Sequence, residues 1–423
     1  MAKPGDRVKV KTKEKDFEGI LMPAEHSDAV IIKLSSGYNL GIAKEKVLGI
    51  SVLEPNKEKI QKKAKIKIDK NKPTIAILHT GGTIASKVDY RTGGVIAKFE
   101  PEELIANFPE LKDIANITSL KVANMMSEDM RFMHYQLIAE AITKQIEQGV
   151  KGIIIGHGTD TLAVTSAALS FMFEHLPIPV ILVGAQRSSD RGSSDAGMNL
   201  ICAAEFIAKT DFKGVALCMH EKQDDTSCLI LPATKTRKLH TSRRDAFKPV
   251  NAEPIARVDY QTRKIEYVPQ YQSSGKLVLK DKFEDKIAII KTYPNMYPDL
   301  IDALTAKNYK GLVLESTGIG QAPTNIPENL PNYEALKRFI NKGGIVVLTS
   351  QCIFGRVHPY IYTNCQRLQD IGVIFGEDML TETAFVKLAW LLGNYPKEQV
   401  RELVTKNLRG EINERILPDE FLE

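Results

Sequence analysis

Short apolar runs separated by turn residues fill the first 54 residues of the chain. The runs lie at residues 8–11, 19–22, 29–34 and 39–43. Gly37 lies between the last two runs and supplies the positive φ that tight hairpin turns require. Several short strands in so few residues are typical of a small barrel, because closure removes exposed strand edges. We therefore predict a small β-barrel over residues 1–54.

Beyond residue 73 the pattern changes to strand-like apolar runs that alternate with helical spacing. This alternation predicts an α/β fold with a doubly wound sheet. A polar, weakly periodic stretch at residues 266–284 divides it into a larger domain at 74–265 and a smaller one at 285–423. Residues 55–73 are rich in lysine and end in proline, which indicates a linker.

The helical spacing also predicts where individual helices lie. One helix should begin just beyond residues 127–129, where methionine, leucine and alanine recur at core spacing. Further helices are expected at 160–174, 192–208 and 382–392.

Two short segments place threonines at the ends of apolar, strand-like runs. Residues 79–85 read His-Thr-Gly-Gly-Thr-Ile-Ala and residues 156–161 read Gly-His-Gly-Thr-Asp-Thr. The carboxyl edge of parallel strands is where open α/β sheets bind ligands. Glycines there allow a loop to approach a small substrate closely, although ordinary turns use glycine as well. The pair of segments predicts an active site built from threonines.

These two segments resemble the signatures of the bacterial-type L-asparaginase/glutaminase family. The likeness continues through residues 183–187, 195–200 and 234–236, and it covers the chain from residue 73 to about 420. The resemblance implies two asparaginase-type α/β domains and an amidohydrolase with a threonine nucleophile. The first 72 residues lie outside it.

The candidate catalytic residues are Thr83, Thr159, Asp160 and Lys235. A threonine hydroxyl is a poor nucleophile without a neighbouring base, and we expect Lys235 to lie near Asp160 and serve as that base. By resemblance, Thr83 attacks the side-chain amide, and the other three activate a hydroxyl or water. Which threonine attacks first stays open. The alternative interpretation of Asp160 is that it caps a helix. The alternative for Lys235 is that it lies on the solvated surface.

The candidate substrate-binding residues are Ser127, Glu128, Tyr90, Gly82 and Gly158. By resemblance, Ser127 and Glu128 hold the α-carboxylate and α-amino groups, but the family more often has glutamine at the second position. This difference leaves the preference between asparagine and glutamine open. Tyr90 matches a tyrosine of a mobile lid, and an ordinary surface tyrosine is the alternative.

Composition excludes several other classes of protein. The chain has 43% hydrophobic and 26% charged residues, as soluble globular proteins do. It has no apolar run of membrane-spanning length and no signal-peptide pattern near Met1, so we expect a cytoplasmic protein. The five cysteines form no CxxC pair, and no metal-binding or nucleotide-binding motif occurs. We therefore expect structural thiols, no metal and no cofactor in this chain.

The net charge of +5 is unevenly distributed. Residues 1–72 hold 17 Lys/Arg and 10 Asp/Glu, a local charge of +7, and the remainder is slightly acidic. Such a segment is suited to phosphate contacts, although the same lysines also suit a solvated linker.

With a basic barrel ahead of an asparaginase-like body, the whole chain resembles the archaeal family of glutamyl-tRNA(Gln) amidotransferase D subunits. This resemblance implies that glutamine hydrolysis supplies ammonia for converting Glu-tRNA(Gln) to Gln-tRNA(Gln). The partner would be the E subunit (GatE), with ATP and Mg²⁺ bound there, in a heterotetramer that contains a homodimer of this chain. The alternatives are a stand-alone cytoplasmic L-asparaginase and a non-enzymatic interaction protein.

Overall fold

The structure is a computed structural model. It describes residues 2–23, 28–35, 39–55, 68–81, 107–187, 193–267, 275–417 and 421, and the backbone alone at 86–88 and 95–97.

The N-terminal segment forms a five-stranded antiparallel sheet. Its strands are β1 Arg7–Thr12, β2 Asp16–Leu21, β3 Ala29–Lys33, β4 Asn39–Ala43 and β5 Val47–Glu54, in the order β4-β3-β2-β1-β5. Val8, Val10, Ile32 and Ile42 form its core. The antiparallel all-β fold of this segment is confirmed. Among the pairings of the described residues, β4 and β5 are the two end strands of this sheet.

The outward face of β1 carries basic side chains that already have acidic partners. Arg7 lies 3.4 Å from Glu54 and 4.0 Å from Glu18, and Lys9 lies 3.2 Å from Asp16. Ion pairs this exposed stabilise the sheet little. They do neutralise part of the local positive charge.

The larger α/β part is built on a mixed eight-stranded sheet. The elements in this part are β6 Thr74–His79, β7 Ser86–Val88, β8 Val95–Ala97, α1 Leu111–Ile114, β9 Asn116–Lys121, α2 Phe132–Glu147, β10 Gly152–Gly156, α3 Leu162–Met172, β11 Phe173–Glu174, β12 Pro179–Val183, α4 Ala196–Lys209, β13 Gly214–His220, β14 Ser227–Pro232, β15 Thr236–Lys238, β16 Phe247–Pro249, β17 Ala256–Asp259, β18 Ile265–Tyr267 and β19 Val278–Leu279. The sheet order is β18-β17-β14-β13-β12-β10-β6-β9. The strands from β13 to β9 are parallel, so the loops after β6, β10 and β12 meet at one edge.

The predicted helices are present, with shifted starts. α2 begins at Phe132, after a 3-10 turn at Ser127–Asp129. α3 begins at Leu162, where Asp160 was expected to open the helix, and α4 begins at Ala196. In both cases, polar residues ahead of the helix are engaged in loop contacts.

The smaller α/β part has a parallel sheet in the order β20-β21-β22-β23. Its elements are β20 Ile287–Lys291, α5 Asp299–Ala306, β21 Gly311–Ser316, α6 Leu330–Asn341, β22 Ile345–Ser350, α7 Thr363–Asp370, β23 Ile374–Phe375, α8 Thr381–Asn394 and α9 Lys397–Leu403. α8, the helix expected at 382–392, packs against α3, where Trp390 stacks on Phe171 with ring centroids 5.7 Å apart. The two α/β parts therefore share one apolar core.

Within the described ranges, no helix combines the length and apolarity that a membrane span needs. Over the same ranges, no group of three His, Cys, Asp or Glu side chains is placed to hold a metal ion. All five cysteines are free thiols; Cys352 is exposed and the other four are buried.

Candidate active site

The ends of three neighbouring parallel strands are joined by hydrogen bonds. The backbone N–H and the hydroxyl of Thr80 each donate to the carbonyl of Gly156 over 3.1 Å. The N–H of His157 donates to the carbonyl of Val183 over 3.0 Å. The first residues after β6 and β10 and the end of β12 thus lie together at one edge of the sheet, as the two threonine segments predicted.

Thr159 and Asp160 share one lysine at this edge. Lys238 Nζ lies 2.9 Å from Thr159 Oγ1 and 2.7 Å from Asp160 Oδ1. Lys238 ends β15, which pairs with β16 in an antiparallel hairpin. Its side chain is 15% exposed and that of Asp160 is 65% exposed, so the amine is shielded while the carboxylate faces solvent. The arrangement joins a hydroxyl, an amine and a carboxylate.

The expected position of Lys235 beside Asp160 is wrong, because the lysine at that place is Lys238. Lys235 forms an ion pair with Asp378, and both side chains are buried, so the alternative of a solvated surface lysine is wrong too. Lys235 lies in the turn before β15, which begins at Thr236, whereas Lys238 ends that strand. The two side chains accordingly have different partners, Asp378 for Lys235 and the Thr159–Asp160 pair for Lys238.

Asp160 does not cap α3. The N-cap position belongs to Thr161, and no side chain makes a capping hydrogen bond there. The Asp160 carboxylate accepts from Lys238 instead. This leaves it available to orient the lysine.

Ser127 lies against the second threonine segment. Its carbonyl accepts the Thr161 hydroxyl over 2.6 Å. A Cβ added at Gly158 would stand 2.7 Å from Ser127 Cβ and 2.8 Å from its Oγ, closer than real Cβ atoms come. Ser127 is buried and Glu128, the next residue of the same turn, is exposed. The structure therefore brings Ser127, Glu128 and Gly158 to the edge that carries Thr159.

The buried His157 side chain joins the loop after β10 to α3. Its Nδ1 lies 2.7 Å from the carbonyl of Gly158, so Nδ1 carries the proton and donates, and Nε2 accepts the Thr165 hydroxyl over 3.0 Å. Complete burial lowers the pKa of His157 to about 4, which keeps the ring neutral at neutral pH. The sequence pattern offers this histidine no metal partner, and its structural role was not foreseen.

The loop after β12 also packs on Thr159. Asp195 accepts the backbone N–H groups of Gln186 and Arg187, each over 3.0 Å. A Cβ at Gly184 would lie 2.8 Å from Thr159 Cγ2. Asp195 is fully buried. It belongs to the resemblance noted above, but its anchoring role could not be foreseen.

Three candidate residues, Gly82, Thr83 and Tyr90, lie outside the described residues. Their assignments as backbone contact, nucleophile and lid stay predictions.

Known protein families match this chain along nearly its whole length. Family models for the asparaginase N-terminal domain match residues 74–271, and for the glutaminase/asparaginase C-terminal domain residues 286–404. A model of the GatD N-terminal domain matches residues 2–53. The D subunit of glutamyl-tRNA(Gln) amidotransferase from Pyrococcus furiosus is 46% identical over 98% of this chain and 95% of its own length. The chain belongs to the family of glutamyl-tRNA(Gln) amidotransferase D subunits.

A second D subunit and two solved asparaginases are also similar to this chain. The D subunit from Methanococcus maripaludis strain C7 is 44% identical, over 97% of this chain and 98% of its own length. The thermostable L-asparaginase of Thermococcus kodakarensis superposes with a TM-score of 0.73 at 29% identity, over 81% of this chain and 100% of that one. L-asparaginase I of Vibrio cholerae superposes with a TM-score of 0.69 at 31% identity, over 81% of this chain and 99% of that one. This member of the family therefore carries an asparaginase-type amidohydrolase body.

Proposed function

We propose that the chain is the glutaminase subunit of a tRNA-dependent amidotransferase. A threonine hydroxyl attacks the side-chain amide carbon of glutamine and ammonia leaves. Water then hydrolyses the acyl-threonine ester and releases glutamate. The observation that carries the proposal is the contact of Lys238 Nζ with both Thr159 Oγ1 and Asp160 Oδ1. A neutral amine at this position would lie within hydrogen-bond distance of the hydroxyl and could accept its proton.

We infer the partners of the reaction from the resemblance to the family. Ammonia would pass to an E subunit, where ATP and Mg²⁺ activate the glutamyl group of Glu-tRNA(Gln). The assembly would be cytoplasmic, with a homodimer of this chain inside a heterotetramer. Similarity over residues 2–53 to a GatD N-terminal domain supports this proposal, because the asparaginases above superpose on only 81% of the chain.

A stand-alone L-asparaginase is the second candidate, favoured by the same superposition. Ammonia release from glutamine and from asparagine distinguishes the two, measured with the chain alone and with an E subunit and glutamylated tRNA. We expect release from glutamine that rises when both partners are added. Strong release from asparagine alone, unaffected by either partner, would rule out the amidotransferase role.

The two threonines can be tested in the same assay. Thr83→Val and Thr159→Val should each abolish ammonia release, because each removes a hydroxyl that the reaction requires. Trapping the acyl-enzyme in each variant and locating the ester by mass spectrometry identifies the attacking residue. Full activity in Thr83→Val would contradict its assignment as nucleophile.

A further inference from the structure

The turn that precedes Lys238 is anchored from several directions. It joins β14 to β15, and the Val250 N–H donates to the carbonyl of Lys235 over 2.8 Å. The Thr383 hydroxyl on α8 donates to the carbonyl of Thr234 over 2.8 Å, and the Ser166 hydroxyl on α3 donates to that of Ala233 over 2.9 Å. Both α/β parts therefore hold this turn.

The strongest of these anchors is a buried ion pair. Lys235 Nζ contacts Asp378 Oδ2, with the two side chains 2% and 0% exposed. The other oxygen of Asp378 accepts the Asn413 N–H over 3.0 Å. Asp378 lies between β23 and α8, so the pair joins the larger α/β part to the smaller one. Arg356 Nη2 lies 3.9 Å from Oδ1 of Asp378, so Lys235 is the closer of two cations at this carboxylate. Without Lys235 the buried carboxylate would keep only the more distant cation, which is unfavourable and favours one position of the turn.

This fixed turn leads directly to the lysine at the strand edge. Lys235 is the last residue of the turn and β15 begins at the next residue, Thr236, so a shift of the turn moves β15 and Lys238 with it. We propose that Lys235 is a positioning residue, whose buried ion pair with Asp378 holds β15 in the place that sets Lys238 Nζ against Thr159 and Asp160. The part of this inference that concerns catalysis rests on the proposed function.

The same strand offers a matched control pair. Arg237 Nη1 lies 3.1 Å from Glu382 Oε2, and this pair also links β15 to α8. Its side chains are 30% and 36% exposed, so water can replace either partner. Glu382→Gln therefore removes a contact between the same two elements without leaving a buried charge.

The first test follows the position of Lys238 directly. The full chain is treated with a water-soluble acylating reagent, and the labelling rate of Lys238 is measured by mass spectrometry in Lys235→Met, Asp378→Asn and Glu382→Gln. We expect Lys238 to be labelled severalfold faster in the first two variants and at the wild-type rate in Glu382→Gln. An unchanged rate in folded Lys235→Met and Asp378→Asn would overturn the proposal, whether or not the protein hydrolyses glutamine.

The second test separates positioning from stability. Single variants should lose at least about tenfold in kcat, with KM within about threefold, because a small misplacement of a catalytic group affects the chemical step more than binding. The double variant Lys235→Met/Asp378→Leu replaces the pair by apolar groups, so it should regain thermal stability without regaining kcat. The double variant also allows the positioning role to be tested if the single variants do not fold.

Recovery of kcat together with stability in the double variant would show that the pair is only structural. A wild-type chain that releases no ammonia even with an E subunit and glutamylated tRNA would refute the proposed function. The labelling rates would still decide the positioning role in that case.

Discussion

Two lysines three residues apart have different environments. Lys238 is at the strand edge beside Thr159, and Lys235 is buried against Asp378. The sequence predicted that Lys235 serves Asp160, because the chemistry requires a base there. The choice of Lys235 over Lys238 was wrong, since it depends on where the turn ends and β15 begins, which the local pattern does not reveal.

Replacing Lys238 tests the base directly. Lys238→Met should lower kcat for glutamine hydrolysis by about 10²-fold or more, because proton transfer by a positioned side chain contributes this much. Lys248→Met is the control, since Lys248 lies on the paired strand β16 and donates to the carbonyl of Glu221. Steady-state ammonia release provides the measurement. Equal losses in both variants would point to damage to the hairpin.

His157 makes stability depend on pH. Burial lowers its pKa to about 4 from an ordinary value of 6.5. Between pH 4 and pH 6.5 the unfolded state binds a proton that the native state does not. The contribution of neutral His157 to the free energy of unfolding is therefore complete above pH 6.5 and is lost as the pH falls toward 4. The loss is about 3 kcal/mol.

The unfolding free energy, measured by denaturant titration from about pH 7 to about pH 4.5, should therefore fall less steeply in His157→Gln than in the wild type. His240→Gln is the control, because His240 is exposed on the β15–β16 loop. An identical pH slope for His157→Gln and wild type would contradict the neutral buried ring.

At the scale of elements, the sequence predicted the strands well and the helix starts less well. The strands are continuous β-branched runs between glycines, a pattern that few other structures share. α3 begins two residues after its predicted start, because Asp160 binds Lys238 and does not cap the helix.

The loop after β10 depends on a close approach at Gly158. Gly158→Ala would bring a methyl group within 3 Å of Ser127 and should displace the 3-10 turn that carries the substrate-binding candidates. We expect KM for glutamine to rise by about tenfold, since uniform binding is lost. Gly49→Ala on β5 is the control, because nothing lies within 4 Å of its added Cβ. An unchanged KM would separate this turn from substrate binding.

At the scale of the whole molecule, buried charges hold the C-terminal segment to the body. Lys387 on α8 pairs with Glu411 over 2.6 Å and donates to the carbonyls of Val404 and Lys406. Burial lowers the pKa of Lys387 even beside this carboxylate. No local sequence pattern predicts such a contact, because it exists only once the chain end has docked.

Lys387→Met should lower the unfolding free energy by about 3–5 kcal/mol, because the Glu411 carboxylate stays buried and loses its ion pair. Lys406→Met breaks the exposed pair of Lys406 with Glu402 and should leave the denaturation midpoint unchanged. Chemical denaturation followed by circular dichroism measures both. Similar midpoints for the two variants would show that the buried pair does not hold the segment.

The acidic partners of β1 bear on how the N-terminal sheet would meet a nucleic acid. Binding of free cations to RNA is driven largely by release of the counterions condensed on the phosphates, and each neutralised phosphate steepens the salt dependence. Before they could bind phosphates, Arg7 and Lys9 would have to break their ion pairs with Glu18, Glu54 and Asp16. The freed carboxylates would then repel the phosphates. The outward face of β1 therefore contributes a shallower salt dependence than its number of basic residues implies.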